Sequence, residues 1–76
     1  MPARGATSRT DLKLIGERVR SLRGNLRQED LAMELGITQG QLSKIERGGI
    51  PPTLDVLVRL TLKFNRSIDW IVLGRK

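Results

Sequence analysis

The chain of 76 residues contains no cysteine, no histidine and no tyrosine. Without thiols it can form no disulfide, and it lacks the thiolate and imidazole ligands that dominate zinc sites. The usual pairings of a nucleophile with a base are missing as well, because the carboxylates are expected on helix surfaces beside cations. We therefore expect no enzymatic activity, no metal, no cofactor and no small-molecule ligand.

Long apolar runs are also missing. No stretch approaches the roughly 20 apolar residues that span a bilayer, and the N-terminus lacks the apolar centre of a signal peptide. Aromatic residues are limited to one Phe and one Trp, so the core must be built from Leu, Ile and Val. These features predict one small domain with an aliphatic core, located in the cytoplasm and without a membrane partner.

Charge of one sign is in excess. The chain has 14 Lys and Arg against 8 Asp and Glu, which gives a formal net charge of +6. Such a surplus on a short chain favours a polyanionic partner, either nucleic acid or an anionic membrane surface. Charge alone does not choose between the two.

The segment 26–47 predicts two short helices joined by a tight turn. Its apolar residues recur at helical spacing on both sides of a Gly-Ile break, at Leu31, Leu35, Leu42 and Ile45. Thr38 is a suitable N-cap for the second helix, and Gln41 completes a capping-box pattern. The exposed face of that helix carries amides, small residues and cations: Gln39, Gly40, Gln41, Ser43, Lys44 and Arg47. These side chains suit the major groove of DNA, where Gln pairs with adenine and Lys or Arg reaches guanine.

The flanking segments predict three more helices. Thr10 or Ser8 can cap a first helix that ends near Arg23; its inward face carries Leu12, Ile15, Val19 and Leu22. Thr53 can cap a fourth helix, in which four residues are spaced for burial: Leu54, Leu57, Leu60 and Phe64. Ser67 can cap a fifth helix that ends at Gly74.

The first ten residues show no apolar period. We expect residues 1–10 to form a flexible basic arm and residues 11–76 to form the domain. The arm is either an untethered terminus or a DNA contact, in which Arg4 and Arg9 lie along phosphate or in a minor groove.

Several motifs occur in a telling order over residues 12–74: RVRSLR, LRQEDLA, LGIT, SKIERG, PPTLDVLVRL and SIDWIVLG. With these motifs the chain resembles the helix-turn-helix family of phage repressors, Cro-like proteins and their bacterial relatives, of the xenobiotic-response-element type. The resemblance implies an all-α, compact five-helix repressor-like domain whose helix-turn-helix is formed by helices 2 and 3. It also implies binding to double-stranded DNA, with homodimerisation at least on DNA.

The resemblance assigns roles to three further residues. It implies a partly buried ion pair between Arg23 and Glu46, and it implies that Gln28 touches backbone phosphate and braces Gln39. Gln28 and Arg27 stand at a helix N-terminus, which attracts anions. The alternative is that both are ordinary exposed residues of a first helical turn.

The chain departs from the family pattern between helices 1 and 2. Only Gly24 and Asn25 separate the Leu-Arg of the first helix from the Leu-x-Gln of the second, where the family has about four residues. We expect Gly24 to end the first helix with a positive φ. Because Arg27 stands where a capping residue is usual, we expect capping to pass to Asn25.

The candidate site follows from these assignments. We expect three residues to read bases: Gln39, Gln41 and Lys44. Gln41 is ambiguous, since a capping-box glutamine folds back on its own helix. We expect six residues to contact the DNA backbone: Arg27, Gln28, Thr38, Gly40, Ser43 and Arg47. Gly40 either allows a close backbone approach or leaves one base unread. In the C-terminal helix we expect Trp70 and Ile71 inside, with Val72 and Leu73 at a dimer interface.

The sequence as a whole predicts a sequence-specific DNA-binding transcriptional regulator. We expect a repressor that binds a (pseudo)palindromic operator as a dimer through the major groove. One alternative is an antitoxin or another protein-interaction module with the same fold, although little chain follows Gly74 for gripping a partner. A set of basic helices lying on an anionic membrane is a weaker alternative, because the apolar faces should be consumed by the core.

Overall fold

The computed structural model describes residues 9–75, which form five α-helices and no strands. The all-α, five-helix prediction is confirmed. The helices, in chain order, are α1 (Arg9–Arg23), α2 (Gln28–Leu35), α3 (Gln39–Glu46), α4 (Leu54–Phe64) and α5 (Ile68–Leu73). None of the helices in the described range is long and apolar enough to cross a membrane.

Helix α1 begins earlier than the sequence suggested. It starts at Arg9, so Thr10 lies inside the helix and is not its N-cap. Ser8, the other candidate cap, lies outside the described residues, as do the first eight residues of the predicted arm. The predicted inward face is present: Ile15 and Val19 are buried, and Leu12 and Leu22 pack half-buried against the core.

The short connection between α1 and α2 is closed by backbone hydrogen bonds. Gly24 has φ +56°, as predicted, and its N–H donates to the Arg20 carbonyl at 3.1 Å. The N-cap of α2 is Arg27 rather than Asn25, and it makes no side-chain capping bond. A guanidinium has no acceptor, so the helix N-terminus relies on the Arg27 carbonyl, which accepts from the N–H groups of Asp30 and Leu31 at 3.1 Å each.

The turn between α2 and α3 is built from a glycine and a capping box. Gly36 has φ +73°, and the Ile37 N–H donates to the Ala32 carbonyl at 3.0 Å, which ends α2. Thr38 then caps α3: its Oγ accepts from the Gln41 N–H at 3.0 Å, and its own N–H donates to Gln41 Oε1 at 2.9 Å. These reciprocal bonds fix the direction in which α3 leaves the turn.

The core is aliphatic and draws on every helix. The largest fully buried side chains are Val19, Leu31, Leu35, Leu42, Val56, Leu60 and Ile71. Helices α1 and α2 both pack against α3, and α5 packs against α1 and α4. Helices α1 and α2 therefore support the buried side of α3 and leave its other side exposed.

In α4 the sequence prediction was wrong at one position. Leu54 is 70% exposed, whereas Val56 is 2% exposed and takes its place in the core. At about 100° per residue, Val56 and Leu60 define one face, and Leu54 falls on the far side of the helix. Leu57 and Phe64 are half-buried. Leu54, Val58 and Leu62 line the exposed face.

Gly16 allows α1 to approach the backbone of α3. A Cβ atom at this position would lie 2.6 Å from the Glu46 carbonyl oxygen and would also collide with the Ile45 carbonyl. Only glycine leaves room for this crossing, because at this point the backbone of α1 lies against the backbone of α3. An isolated glycine in a helical pattern is the sequence signal of such packing, and Gly16 was not among the predicted structural residues.

Helix α5 is capped at both ends. The Ser67 Oγ accepts from the Trp70 N–H at 3.0 Å, as the sequence suggested, and Gly74 ends the helix with φ +76°. Arg18 of α1 donates to the carbonyl oxygens of Ile71 and Val72 at 3.1 and 3.2 Å. A guanidinium thus satisfies carbonyls that the helix leaves unpaired.

Candidate nucleic-acid interface

Helix α3 presents most of the predicted DNA-contacting residues on its exposed side. Its core side consists of Leu42 and Ile45, both buried. Ser43 is half-buried, and the remaining predicted residues are exposed: Gln39, Gly40, Gln41, Lys44 and Arg47. The one acidic residue of this helix, Glu46, is buried. The exposed surface of α3 therefore carries amides and cations without an opposing carboxylate.

The structure places Gln41 in the capping box. Its Oε1 accepts from the Thr38 N–H, so in this conformation the amide cannot offer its oxygen and its N–H groups together to one base. Bidentate recognition of adenine needs both. The geometry of Gln41 is that of a capping residue, which is the alternative that the sequence analysis set against base reading.

Gln39 lies beside Gln28, where the N-terminal ends of α2 and α3 meet. Gln39 Nε2 donates to Gln28 Oε1 at 3.4 Å, a long hydrogen bond that joins the first turns of α3 and α2. Gln28 Nε2 in turn donates to Glu46 Oε1 at 2.9 Å. The first of these contacts is the one implied by the family resemblance; the second was not anticipated.

The predicted ion pair between Arg23 and Glu46 is present. Arg23 Nε donates to Glu46 Oε2 at 2.7 Å and Nη2 donates to Oε1 at 3.0 Å, which makes the pair bidentate. The side chains are 16% and 4% exposed. The hydrogen bond to Glu46 raises the pKa of Arg23 above its usual value. Arg23 Nη1 also donates to the Leu26 carbonyl at 2.8 Å, so one guanidinium ties together α1, the short turn and α3.

Arg27 is exposed at the N-terminus of α2, as a phosphate contact would require. Its Nε lies 3.3 Å from Asp30 Oδ2, and its Nη2 lies 3.9 Å from Glu29 Oε2. The hydrogen bond with Asp30, together with the charges of Asp30 and Glu29, raises the pKa of Arg27. Such exposed pairs contribute little to stability and are screened by salt. The guanidinium can therefore exchange them for a phosphate.

Four further residues were predicted to contact the DNA backbone: Ser43, Arg47, Thr38 and Gly40. Arg47 Nη1 donates to Ser43 Oγ at 2.8 Å, so these two residues act together at the end of α3. The Thr38 Oγ accepts the capping bond but keeps a hydroxyl hydrogen that can donate. A Cβ at Gly40 would meet only Thr38 Oγ, at 3.9 Å, so nothing within the described residues requires glycine there.

Two arginines that sequence reasoning missed support the site from a distance. Arg18 of α1 caps the C-terminal end of α5. Arg59 of α4 donates to the Glu34 carbonyl at 3.3 Å near the end of α2, and it pairs with Asp55 at 3.2 Å. Both act on backbone carbonyls of another helix. No local sequence pattern reveals such contacts.

The residues predicted for a dimer interface differ in exposure. Leu73 is 56% exposed, whereas Val72 is half-buried against the core. Ile71 is fully buried, and Trp70 is half-buried with the Arg66 guanidinium 3.9 Å from its ring centroid. Of the two predicted interface residues, Leu73 therefore exposes the larger apolar surface.

Comparisons with known proteins agree with this geometry. Residues 19–71 match the model of a family described as helix-turn-helix. Among curated protein sequences, none matches this chain significantly.

Two solved structures are similar in fold and in sequence. One is the P22 c2 repressor protein in complex with synthetic operator 9T in the presence of Tl+, which has a TM-score of 0.74 and 31% identity over 82% of this chain and 97% of that chain. The other is the restriction-modification controller protein C.AhdI from Aeromonas hydrophila, with a TM-score of 0.71 and 28% identity over 83% of this chain and 94% of that chain.

Proposed function

The chain belongs to the helix-turn-helix family of Cro-like and repressor-type DNA-binding transcriptional regulators, and from this membership we propose that it is a repressor that binds its operator as a dimer. The operator is expected to consist of two symmetric half-sites about one helical turn of DNA apart. Repression would follow from occupancy of that site. A regulator of this kind acts on DNA in the cytoplasm, and we infer no catalytic activity.

The observation that carries the proposal is the placement of Gln39. It lies exposed on the first turn of α3, and a hydrogen bond to Gln28 links it to the buried Arg23–Glu46 pair. A side chain anchored in this way loses less freedom on binding than a free glutamine would. Gln39 and Lys44 are the proposed base-reading residues, and Gln41 is assigned instead to capping.

Backbone contacts position α3 in the groove. We assign them to the exposed cation Arg27, to Gln28 beside it, and to the hydrogen-bonded pair of Ser43 and Arg47. The Thr38 hydroxyl adds a donor at the N-terminus of α3, where the helix dipole also favours phosphate. Such contacts fix the register on the duplex but do not select its sequence.

Dimerisation is proposed through the C-terminal helix. Leu73 contributes exposed apolar surface, and Val72 beside it contributes its half-buried edge. The P22 c2 repressor was solved on a synthetic operator. By similarity, we expect two copies of this chain to bring two α3 helices into successive major grooves.

Gly40 has a specific place in this proposal. Because a side chain at this position would collide with nothing within residues 9–75, the need for glycine would come from the DNA. We propose that the backbone of α3 approaches the duplex closely here.

Selection of random duplexes by the purified protein tests the proposed function. Bound fragments should share a two-fold-symmetric consensus, and the half-site spacing should match one turn of DNA. A second selection at high salt should retain the consensus while overall binding falls, because phosphate contacts are salt-dependent. Recovery of no consensus at any salt concentration would contradict the proposal.

A further inference from the structure

Glu46 stands at one end of a chain of hydrogen bonds that reaches the DNA-facing surface. Its Oε1 accepts from Gln28 Nε2 at 2.9 Å, and Gln28 Oε1 accepts from Gln39 Nε2 at 3.4 Å. We propose that Glu46 is a positioning residue that determines how the Gln39 amide faces a base, and therefore which base Gln39 accepts. The inference rests on the proposed function, because it concerns the step in which Gln39 reads DNA.

The carboxylate of Glu46 can only accept hydrogen bonds, because Arg23 contacts both of its oxygens and holds the group as an anion. The amide of Gln28 must therefore turn its NH2 toward Glu46 and its carbonyl oxygen away. Only one orientation of Gln28 satisfies both neighbours.

The same constraint passes to Gln39. The Gln28 carbonyl oxygen faces Gln39 and accepts, so Gln39 has to donate one N–H to it. A second N–H and the Oε1 of Gln39 remain for the duplex. One buried charge thus sets the direction of two amides, each of which would otherwise be free to rotate by half a turn.

This direction matches one purine and opposes the other. In the major groove adenine presents an acceptor and a donor, N7 and the N6 amino group, which complement the N–H and Oε1 of Gln39. Guanine presents two acceptors, N7 and O6, so it would place O6 against the Gln39 oxygen. The hydrogen-bond chain therefore favours adenine over guanine at the base pair that Gln39 reads.

The role is separable from the effect of the ion pair on folding. An ion pair that only stabilised the fold would need its guanidinium and its carboxylate, but not the amide of Gln28. Here Oε1 of Glu46 accepts from both Arg23 and Gln28. Removing the carboxylate should change base preference even in a variant that remains folded.

The test compares preference and not affinity. The variant Arg23→Met/Glu46→Met removes both charges together, and replacement of a buried pair by apolar residues of similar volume is commonly tolerated. Binding is measured to the duplex selected by the wild type and to one carrying guanine in place of the adenine read by Gln39. We expect the wild type to prefer adenine by about tenfold or more, and the variant by no more than about threefold.

Val19→Ala is the matched control. It shortens a fully buried side chain of α1 and lowers stability, but it removes no polar group from the hydrogen bonds that join Glu46, Gln28 and Gln39. Its adenine preference should equal that of the wild type. Retention of the preference by the double variant would overturn the proposal, and so would an equal loss in Val19→Ala.

A spectroscopic measurement on the DNA-free wild type gives an independent readout. The side-chain amide protons of Gln28 and Gln39 should show hydrogen-bonded NMR shifts and slowed exchange with water, and nuclear Overhauser contacts should join the two amides. Signals typical of solvated glutamines would overturn the proposal, even if the double variant failed to fold. Failure of the proposed function looks different, because the wild type would then prefer no sequence at all.

Discussion

Replacing Gly16 by alanine tests the contact that seats α3 on α1. The new Cβ would lie 2.6 Å from the Glu46 carbonyl oxygen. Ordinary carbon–oxygen contacts begin at about 3.3 Å, so the two helices would have to separate by at least roughly 0.7 Å, and by more to clear the closer Ile45 carbonyl oxygen. Overpacking costs about 1–3 kcal/mol, and this clash lies at the upper end of that range because the atoms that it meets are backbone atoms, which cannot rotate away. The better helix propensity of alanine offsets about 1 kcal/mol of the cost.

We therefore expect Gly16→Ala to lower the free energy of unfolding by roughly 2 kcal/mol. For a domain of this size each kcal/mol shifts the melting temperature by about 4–8 °C, so the variant should melt about 8–16 °C earlier. Urea denaturation and thermal melting followed by circular dichroism measure both quantities. The two midpoints should shift together, because one lost contact causes both.

Gly40→Ala is the matched control, since it makes the same substitution in another helix. Its Cβ would meet only Thr38 Oγ at 3.9 Å, which is an ordinary contact. We expect its stability to be unchanged or higher by up to about 1 kcal/mol. If Gly16→Ala proved as stable as Gly40→Ala, the close approach of α1 to the end of α3 would be refuted.

The remaining predictions concern DNA binding and assembly. Gln39→Ala should cost roughly 1–3 kcal/mol on the selected duplex and relax preference at one base pair; equal losses on selected and random DNA in a gel-shift titration would contradict the base-reading role. Arg27→Ala should weaken binding to all duplexes alike and reduce the slope of log K against log salt by about 1, so an unchanged slope would remove Arg27 from the phosphate contacts. Leu73→Glu should shift sedimentation toward the monomer and weaken binding to a full operator, with no change on a single half-site; an unaltered oligomeric state would exclude α5 as the interface.

Local features of this fold were predictable from the sequence. The capping box at Thr38 and Gln41 follows from a three-residue spacing, and the end of α1 at Gly24 follows from the need for a positive φ. Both depend on neighbours within one helical turn. The Arg23–Glu46 pair joins distant parts of the chain, and only the family resemblance made it predictable.

Contacts between helices were not predictable in the same way. The hydrogen bond from Gln28 to Glu46 joins the first turn of α2 to the last residue of α3, and its existence depends on how the two helices cross. The exposure of Leu54 had a related cause, because α4 carries apolar residues on both faces and spacing alone does not say which one meets the core. The angle at which the helices cross determines both the hydrogen bond and the exposed face of α4, and this angle is known only once the helices are packed.

The anchorage of α5 by Arg18 has a consequence for how this protein can diversify. The guanidinium grips main-chain oxygens at Ile71 and Val72, and every amino acid supplies an identical main-chain oxygen. Outward-facing positions such as Leu73 can therefore be substituted without removing this attachment of the helix. If the proposed dimer forms through α5, relatives of this protein can differ in their choice of partner while the attachment of α5 to α1 stays the same.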